Sequence, residues 1–226
     1  MKILVAILAC HKREAQTDIQ RATWMSRGPW ESNVAVRIFR GRPHDGICAI
    51  NHGNDLWLNC DDSYEGMCAK ARMVYTYGYL NCFDFVFTLG DDGWVHIPRL
   101  VAYCQEIWNH GNPAYDYVGH LRGGDNEFSD DYASGGAGTL FSARAIKVLN
   151  LAPDTNDPAE DRWAGNTLRA AGILLHSERR RFCLPAEYFD RQPWEPICIE
   201  TMRVHRGVLV PMRKIHEEFY DAVVVS

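Results

Sequence analysis

Two apolar runs constrain the fold of this chain more than any other feature. Residues 3–9 carry no polar side chain, and residues 83–89 are apolar apart from Asp84 and Thr88. A strand that is apolar at every position is buried on both faces, which is typical of the middle of a parallel sheet. Parallel strands need long connections, usually helices. The chain therefore predicts an α/β fold with a mostly parallel central sheet flanked by helices.

The other local patterns fit this alternation of strands and helices. Further strands are predicted at residues 34–39, 115–118, 139–141 and 198–204. Helices are predicted at residues 19–25, 63–79, 98–110, 142–149, 158–171 and 212–220. Residues typical of helix ends support these boundaries: Ser63 and Ser142 as N-caps, Pro98 in a first turn, and Gly111 and Gly172 as C-terminal stops. Leu100, Cys104, Ile107 and Trp108 form the predicted apolar stripe of the third helix. Residues 41–54 and 121–132 are predicted to be loops rich in turn-forming residues.

Length and composition indicate one globular domain. The 226 residues show no internal repeat, and 46% of them are hydrophobic, enough for a substantial core. The net charge is −5, and the densest basic run, residues 179–181, is too short for a nucleic-acid stripe. We therefore expect no nucleic-acid partner.

The cysteines and the N-terminal residues indicate the cellular compartment. Eight cysteines are spread without a C-x-x-C pair, which disfavours a zinc site and suggests free thiols in a reducing compartment. The opening MKILVAILAC is too short for a secretory signal and is followed at once by His11, Lys12 and Arg13. No run is long enough for a membrane span. A cytoplasmic protein is expected.

Two adjacent carboxylates, Asp91 and Asp92, follow the second apolar run directly after Gly90. Neighbouring like charges in a poorly solvated place repel, so a partner of opposite charge is expected. A hard cation such as Mg²⁺ or Mn²⁺ is one such partner, while a solvated Gly–Asp turn is the simpler alternative. Ligands of layered α/β folds bind at the carboxyl ends of the strands, and this position favours a functional pair.

Five short motifs occur in a fixed order between Arg21 and Gly172: RATW, DSYEGMCAK, GDDGWV, SGGAG and EDRWAG. In order and spacing they resemble the motifs of the beta-1,3-galactosyltransferase, Fringe and core 1 glycosyltransferase family. The resemblance implies a GT-A glycosyltransferase fold with a Rossmann-like sheet. On this reading residues 1–226 form a single GT-A domain, with a nucleotide-binding half at about 1–97 and an acceptor-binding half at about 98–226.

The same resemblance implies a UDP-sugar donor, Mn²⁺ or Mg²⁺ as cofactor, and inversion at the anomeric carbon. Asp92 takes the position of the family's metal ligand, and His205 is a candidate for its late histidine ligand. Asp161 takes the position of the general base, with Glu160 as a neighbour that could be confused with it. The positions expected to contact the donor are Arg21, Asp62, Lys70, Asp91, Gly135 and Gly136. Gly90 departs from the family, because a first carboxylate is missing.

Each motif also has a purely structural explanation. Glu160 and Asp161 would complement a helix dipole, Lys70 would be an exposed helix lysine, and Arg21 would hold the first helix in place. Trp24 is expected in the core, whereas Trp94 either packs beneath the acidic turn or stacks on a sugar. In the structural explanation, the glycines of SGGAG would allow a tight turn into the following strand.

The resulting hypothesis is a metal-dependent inverting glycosyltransferase acting on a glycan or other hydroxyl acceptor. The alternatives are a retaining GT-A-like transferase or nucleotidyltransferase, and a non-catalytic protein that binds nucleotide-sugars or glycans. A dinucleotide dehydrogenase is disfavoured, since no G-x-G-x-x-G follows the first strand. Residues 121–132 and 182–196 are expected to shape the acceptor pocket.

Overall fold

The computed structural model of the protein describes residues 1–42, 53–122, 131–155, 157–184, 196–200 and 211–221. His205, predicted as a metal ligand, lies outside these ranges. So do most residues of the two segments predicted to shape the acceptor pocket.

A mixed seven-stranded sheet forms the centre of the described structure. The strands are β1 Ile3–Leu8, β2 Val34–Arg42, β3 Asp55–Asp61, β4 Phe85–Gly90, β5 Gly93–Val95, β6 Tyr117–Gly119, β7 Leu121–Arg122, β8 Tyr132–Ala133, β9 Thr139–Ser142, β10 His176–Ser177, β11 Phe182–Cys183 and β12 Cys198–Glu200. The order across the large sheet is β10, β6, β9, β4, β1, β2, β3. Strands β3, β2, β1 and β4 are parallel, and β9 is antiparallel to both of its neighbours. Strands β11, β12 and β5 form a second sheet, and β7 and β8 form a ribbon.

The α-helices are α1 Glu14–Ala22, α2 Met67–Leu80, α3 Ile97–His110, α4 Ala143–Leu151, α5 Glu160–Ala170 and α6 Met212–His216. Short 3-10 turns lie at His11–Arg13, Trp24–Arg27, Pro113–Tyr115 and Gly135–Ala137, and a π-helical turn, Glu217–Asp221, follows α6. Within the described residues, no helix is both long enough and apolar enough to cross a bilayer.

Helices cover both faces of the sheet, as the apolar pattern of β1 requires. Ile3, Val5 and Ile7 belong to one core, which they share with Leu100 and Ile107 of α3 and with residues of α6. The alternate positions of β1 belong to a second core, formed with α2, α4 and α5. All six residues of β1 are buried. The α/β class with a mostly parallel central sheet is therefore confirmed.

Several local predictions are confirmed at the positions that set them. The side chain of Ser142 accepts a hydrogen bond from the amide of Ala145 at the start of α4. Gly111 ends α3 in the left-handed conformation, with φ of 57°. Seven described cysteines are free thiols: Cys10, Cys60, Cys68, Cys82, Cys104, Cys183 and Cys198.

Other local predictions are wrong. Helix α2 begins at Met67 rather than at Ser63, because the Ser63 hydroxyl bonds to Asp61 and to the amide of Gly66 within the preceding turn. Helix α1 begins at Glu14, five residues before the predicted start. Trp108, assigned to the apolar stripe of α3, is half exposed. Strand β3 was not predicted at all.

Candidate functional site

Four strand ends meet at one edge of the sheet, because β3, β2, β1 and β4 are parallel and neighbouring. Asp62, which follows β3, connects three of these ends. Its carboxylate accepts a hydrogen bond of 2.7 Å from the amide of His11, which follows β1, and one of 2.7 Å from the amide of Gly41 in β2. The second motif thus places a carboxylate that fastens the strand ends beneath the site.

Lys70 of α2 also binds Asp62, from the interior of the protein. Its side chain is 0% exposed, and its ammonium donates to Asp62 Oδ1 and to the carbonyl of Ala9, each at 2.7 Å. The pair is a buried ion pair with additional hydrogen bonds, the arrangement that such a pair needs in order to be tolerated. In this conformation the Lys70 ammonium is shielded from solvent, and it stabilises the strand ends from the protein interior.

Asp91 and Asp92 lie at the carboxyl end of the central strand β4 and are both buried, at 2% and 4% exposure. Helix α1 holds the turn that carries them. The buried Gln20 amide donates to the carbonyl of Gly90 at 3.0 Å and to that of Gly93 at 2.7 Å. The indole of Trp24 donates to the same Gly93 carbonyl at 3.2 Å. Both residues flanking the acidic pair are therefore fixed through their backbone.

A cation from the chain itself faces the two carboxylates. Arg13 Nη1 lies 2.9 Å from Asp91 Oδ1, and Arg13 Nη2 lies 2.8 Å from Asp92 Oδ2. The Arg13 Nε–H is held by the side chain of Gln16. Burial raises the pKa of Asp91 to about 6, and the guanidinium of Arg13 opposes that rise. Arg13 therefore supplies the opposite charge that adjacent carboxylates were expected to need.

Gly90 leaves space for the side chain of Asp92. A Cβ at Gly90 would lie 2.6 Å from Asp92 Oδ1, below any normal contact distance. The Asp92 side chain therefore occupies the space that a side chain at position 90 would need. A side chain at position 90 would therefore disturb the orientation of Asp92 toward Arg13.

A second acidic group lies beside the same strand. Gly135, Glu160 and Asp161 line a small cavity together with Thr88 of β4 and Thr139 of β9, and its free volume of about 10 Å³ is the size of one water molecule. Thr88 precedes Asp91 by only three residues, so β4 contributes both to the lining of this cavity and to the turn that carries the Asp pair.

Glu160 and Asp161, at the start of α5, differ in their surroundings. Burial and then the neighbouring Asp161 charge raise the pKa of Glu160 to about 7. Asp161 accepts a hydrogen bond of 3.3 Å from the amide of Gly135 and one of 2.8 Å from the amide of Arg162. A Cβ on Gly135 would lie 2.7 Å from Glu160 Oε1, so a larger residue here would require the Glu160 side chain to shift. Two adjacent carboxyl groups with different environments are typical of acid–base chemistry.

The structure brings Asp91, Asp92, Gly135, Gly136 and Asp161 to the carboxyl end of β4 and its neighbourhood. Arg21 instead binds Glu14, Asp18 and Asp55. Asp55 is level with Leu89 across three strand spacings, a lateral distance of roughly 14 Å. Those contacts match the structural alternative for Arg21, which holds α1 to the sheet edge. The role of Arg21 at a donor stays a prediction.

Trp24 and Trp94 are both fully buried. Packing of Trp24 in the core is therefore confirmed. Trp94 packs beneath the acidic turn, with its ring centroid 5.5 Å from that of Phe219, and it is not exposed to stack on a sugar.

Arg13 is the functional candidate that sequence reasoning missed. In the sequence, Arg13 stands out only as part of the basic stretch that argues against a signal peptide. The signal that could have found it is its position, since it follows β1 and so must lie at the same sheet edge as the residues after β4. His11 is a second such residue, and its ring stacks on Trp57 with centroids 4.7 Å apart.

Comparison with solved structures identifies the fold. The galactosyltransferase LgtC, in complex with donor and acceptor sugar analogues, is 12% identical, with 97% of this chain and 95% of that chain covered and a TM-score of 0.54. A glycosyltransferase involved in glycosylation of the major capsid of PBCV-1 is 9% identical, with 95% and 98% covered and a TM-score of 0.51. No family model and no curated protein matches the chain. The likeness shows a GT-A glycosyltransferase fold; the narrower resemblance to the beta-1,3-galactosyltransferase, Fringe and core 1 family stays a prediction.

Proposed function

We propose that this chain, which has the GT-A fold, is a metal-dependent inverting glycosyltransferase. It would move a hexose or N-acetylhexosamine from a UDP-sugar to a hydroxyl of a glycan or other acceptor. The observation that carries the proposal is the buried pair of Asp91 and Asp92 at the carboxyl end of β4, which already binds a cationic group. Ligands of open α/β sheets bind at this end of the strands.

The residues present fit a divalent cation. Mg²⁺ and Mn²⁺ prefer oxygen ligands, and Mg²⁺ is commonly held by one or two carboxylates together with substrate phosphates and water. Asp91 and Asp92 supply two carboxylates, and the guanidinium of Arg13 stands where a cation is attracted. We assign Asp92 as the direct ligand and Asp91 as its support, with His205 as a further proposed ligand. When bound, the cation would neutralise charge on the leaving diphosphate.

The chain's own residues would position the reactants. Gly135 and Gly136 let the backbone approach the sugar, since a side chain at Gly135 would collide with Glu160. Asp62 and Lys70 are proposed at the donor site, where their mutual bond fixes the strand ends on which the nucleotide would rest. Arg21 is proposed as a donor contact on the resemblance alone.

Asp161 is proposed as the general base that takes the proton of the acceptor hydroxyl. Its two amide hydrogen bonds, from Gly135 and Arg162, orient the carboxylate at the cavity edge. A base near the acceptor, on the side of the sugar opposite the leaving group, is what inversion requires. Glu160 lines the same cavity, and with its pKa raised to about 7 by burial and by the Asp161 charge it would be about half protonated at neutral pH.

Nucleotide-sugar binding without turnover is a second candidate, favoured by one observation. Gly90 removes the first carboxylate of the motif, and its space is taken by Asp92. A protein of this kind would bind UDP with the cation but would release no sugar.

Calorimetric titration of UDP tests the proposal, with Mn²⁺, with chelator and with Asp92→Asn. We expect Mn²⁺ to strengthen UDP binding, and Asp92→Asn to weaken it by at least about tenfold, or 1.4 kcal/mol. Asp116→Asn is the matched control, because Asp116 is also buried and also forms a 2.8 Å ion pair with an arginine, Arg144. UDP binding that is indifferent to Mn²⁺ and to Asp92 would refute the proposal. NMR analysis of the product anomer from a donor screen then separates inversion, retention and absence of turnover.

A further inference from the structure

We propose that Arg13 is an internal counterion which competes with the divalent cation for Asp91 and Asp92, so that binding of the cation is coupled to binding of the diphosphate. This inference rests on the proposed function. It concerns a residue outside all five sequence motifs, placed at the site by the end of β1.

The first argument is that the guanidinium and a cation cannot share these carboxylates without repulsion. The two Arg13 terminal nitrogens lie 2.9 Å and 2.8 Å from the carboxylate oxygens. A divalent cation bound to the same two carboxylates would place two positive centres in direct proximity at a buried site. The cation must therefore displace Arg13.

The second argument is that Arg13 is able to leave while the carboxylates are not. Both aspartates are buried, and their turn is clamped by Gln20 and Trp24. The Arg13 side chain is 40% exposed and begins in a short 3-10 turn on the surface. A long, partly exposed arginine side chain can swing outward into water once its contacts to the carboxylates and to Gln16 are replaced. The guanidinium is therefore the group that moves, outward from the acidic pair.

The third argument is the charge balance. Asp91, Asp92 and Arg13 together carry a formal charge of about −1, and replacing the guanidinium with a divalent cation leaves an unpartnered arginine beside a neutralised pair. A diphosphate provides that partner, because guanidinium binds phosphate oxygens through two parallel hydrogen bonds. The cation alone should therefore bind weakly, and the cation with UDP should bind well.

Electron paramagnetic resonance of free Mn²⁺ measures this competition directly, without reference to catalysis. Titrations at pH 8, with and without UDP, compare the wild type with Arg13→Gln. We expect the variant to bind Mn²⁺ alone about tenfold more tightly. We expect the gain in Mn²⁺ affinity on adding UDP to shrink by a similar factor, because the diphosphate loses its arginine partner.

Two further variants make the comparison specific. Arg144→Gln is the matched control, because Arg144 also forms a 2.8 Å ion pair with an aspartate, Asp116, and should leave both Mn²⁺ affinities unchanged. Arg13→Lys keeps the charge but loses the two-pronged contact, so we expect a smaller gain of about threefold in affinity for Mn²⁺ alone. It carries the test if Arg13→Gln does not fold, as judged by circular dichroism.

The outcomes separate this inference from the proposed function. Stronger Mn²⁺ binding together with weaker coupling to UDP supports it. Unchanged or weaker binding of Mn²⁺ alone by the Arg13 variants, with a wild type that binds Mn²⁺ and UDP together, overturns the competition and leaves the proposed function standing. A wild type that binds neither overturns both.

Discussion

Replacement of Lys70 with methionine tests whether the buried cation fastens the strand ends. Methionine keeps most of the apolar stem, but it removes the two 2.7 Å hydrogen bonds to Asp62 and to the Ala9 carbonyl. Breaking a buried ion pair by deleting one partner costs about 3–5 kcal/mol, because the other charge stays buried without compensation. For a chain of this size, 1 kcal/mol lowers the midpoint of thermal unfolding by about 2–4 °C, so we expect a loss of roughly 10 °C.

Urea unfolding followed by circular dichroism measures the free energy of unfolding. The matched control is Lys147→Met on α4, where the lysine is exposed and the expected change lies within about 0.5 kcal/mol. The double variant Lys70→Met with Asp62→Asn should recover part of the loss, because the uncompensated charge is gone. A Lys70→Met protein of wild-type stability that fails to bind UDP would refute this reasoning and make Lys70 a ligand contact.

Three further predictions concern the two acidic groups. Glu160 has its pKa raised to about 7 in the folded protein, so its contribution to stability is complete below about pH 4.5 and is lost as pH rises through 7. Compared with the wild type, Glu160→Gln should therefore gain relative stability from pH 5 to pH 8 in thermal unfolding curves; parallel curves would contradict the assignment. Gln20→Leu removes two buried hydrogen bonds to the acidic turn and should cost about 2–4 kcal/mol, with faster amide exchange at residues 90–93. Gly90→Ala should displace Asp92 and weaken Mn²⁺-dependent UDP binding in calorimetry while the unfolding midpoint changes little; unaltered binding would show that the Asp92 orientation is unimportant.

The central sheet could be predicted because its signal is local. Strand β1 is apolar at all six positions, and both of its faces are buried. Strand β4 pairs with it in the parallel register expected of two such runs. Strand β3 could not be found in this way, since most of its residues are partly exposed and, among the described strands, it pairs with β2 alone. An edge strand has a weaker hydrophobic pattern, because only part of its surface is covered.

Asp91 and Asp92 could be selected as site candidates because two adjacent carboxylates directly follow a buried strand, whereas Asp161 was selected only through the family resemblance. Arg13 was not predictable from its neighbours in sequence, because its contacts to the acidic pair span 78 and 79 positions of the chain. The fastening role of Lys70 depends in the same way on the carbonyl of Ala9 and on Asp62, which the fold brings together. Pairings of this kind follow from topology and not from periodicity.

The most direct measurement is a crystal structure with Mn²⁺ and UDP, with data collected for the anomalous signal of manganese. The account predicts one strong anomalous peak between the carboxylates of Asp91 and Asp92 and the diphosphate, with the Arg13 guanidinium moved off the acidic pair. A structure with UDP bound elsewhere, or with UDP at this edge, no manganese and Arg13 still on both aspartates, would contradict it.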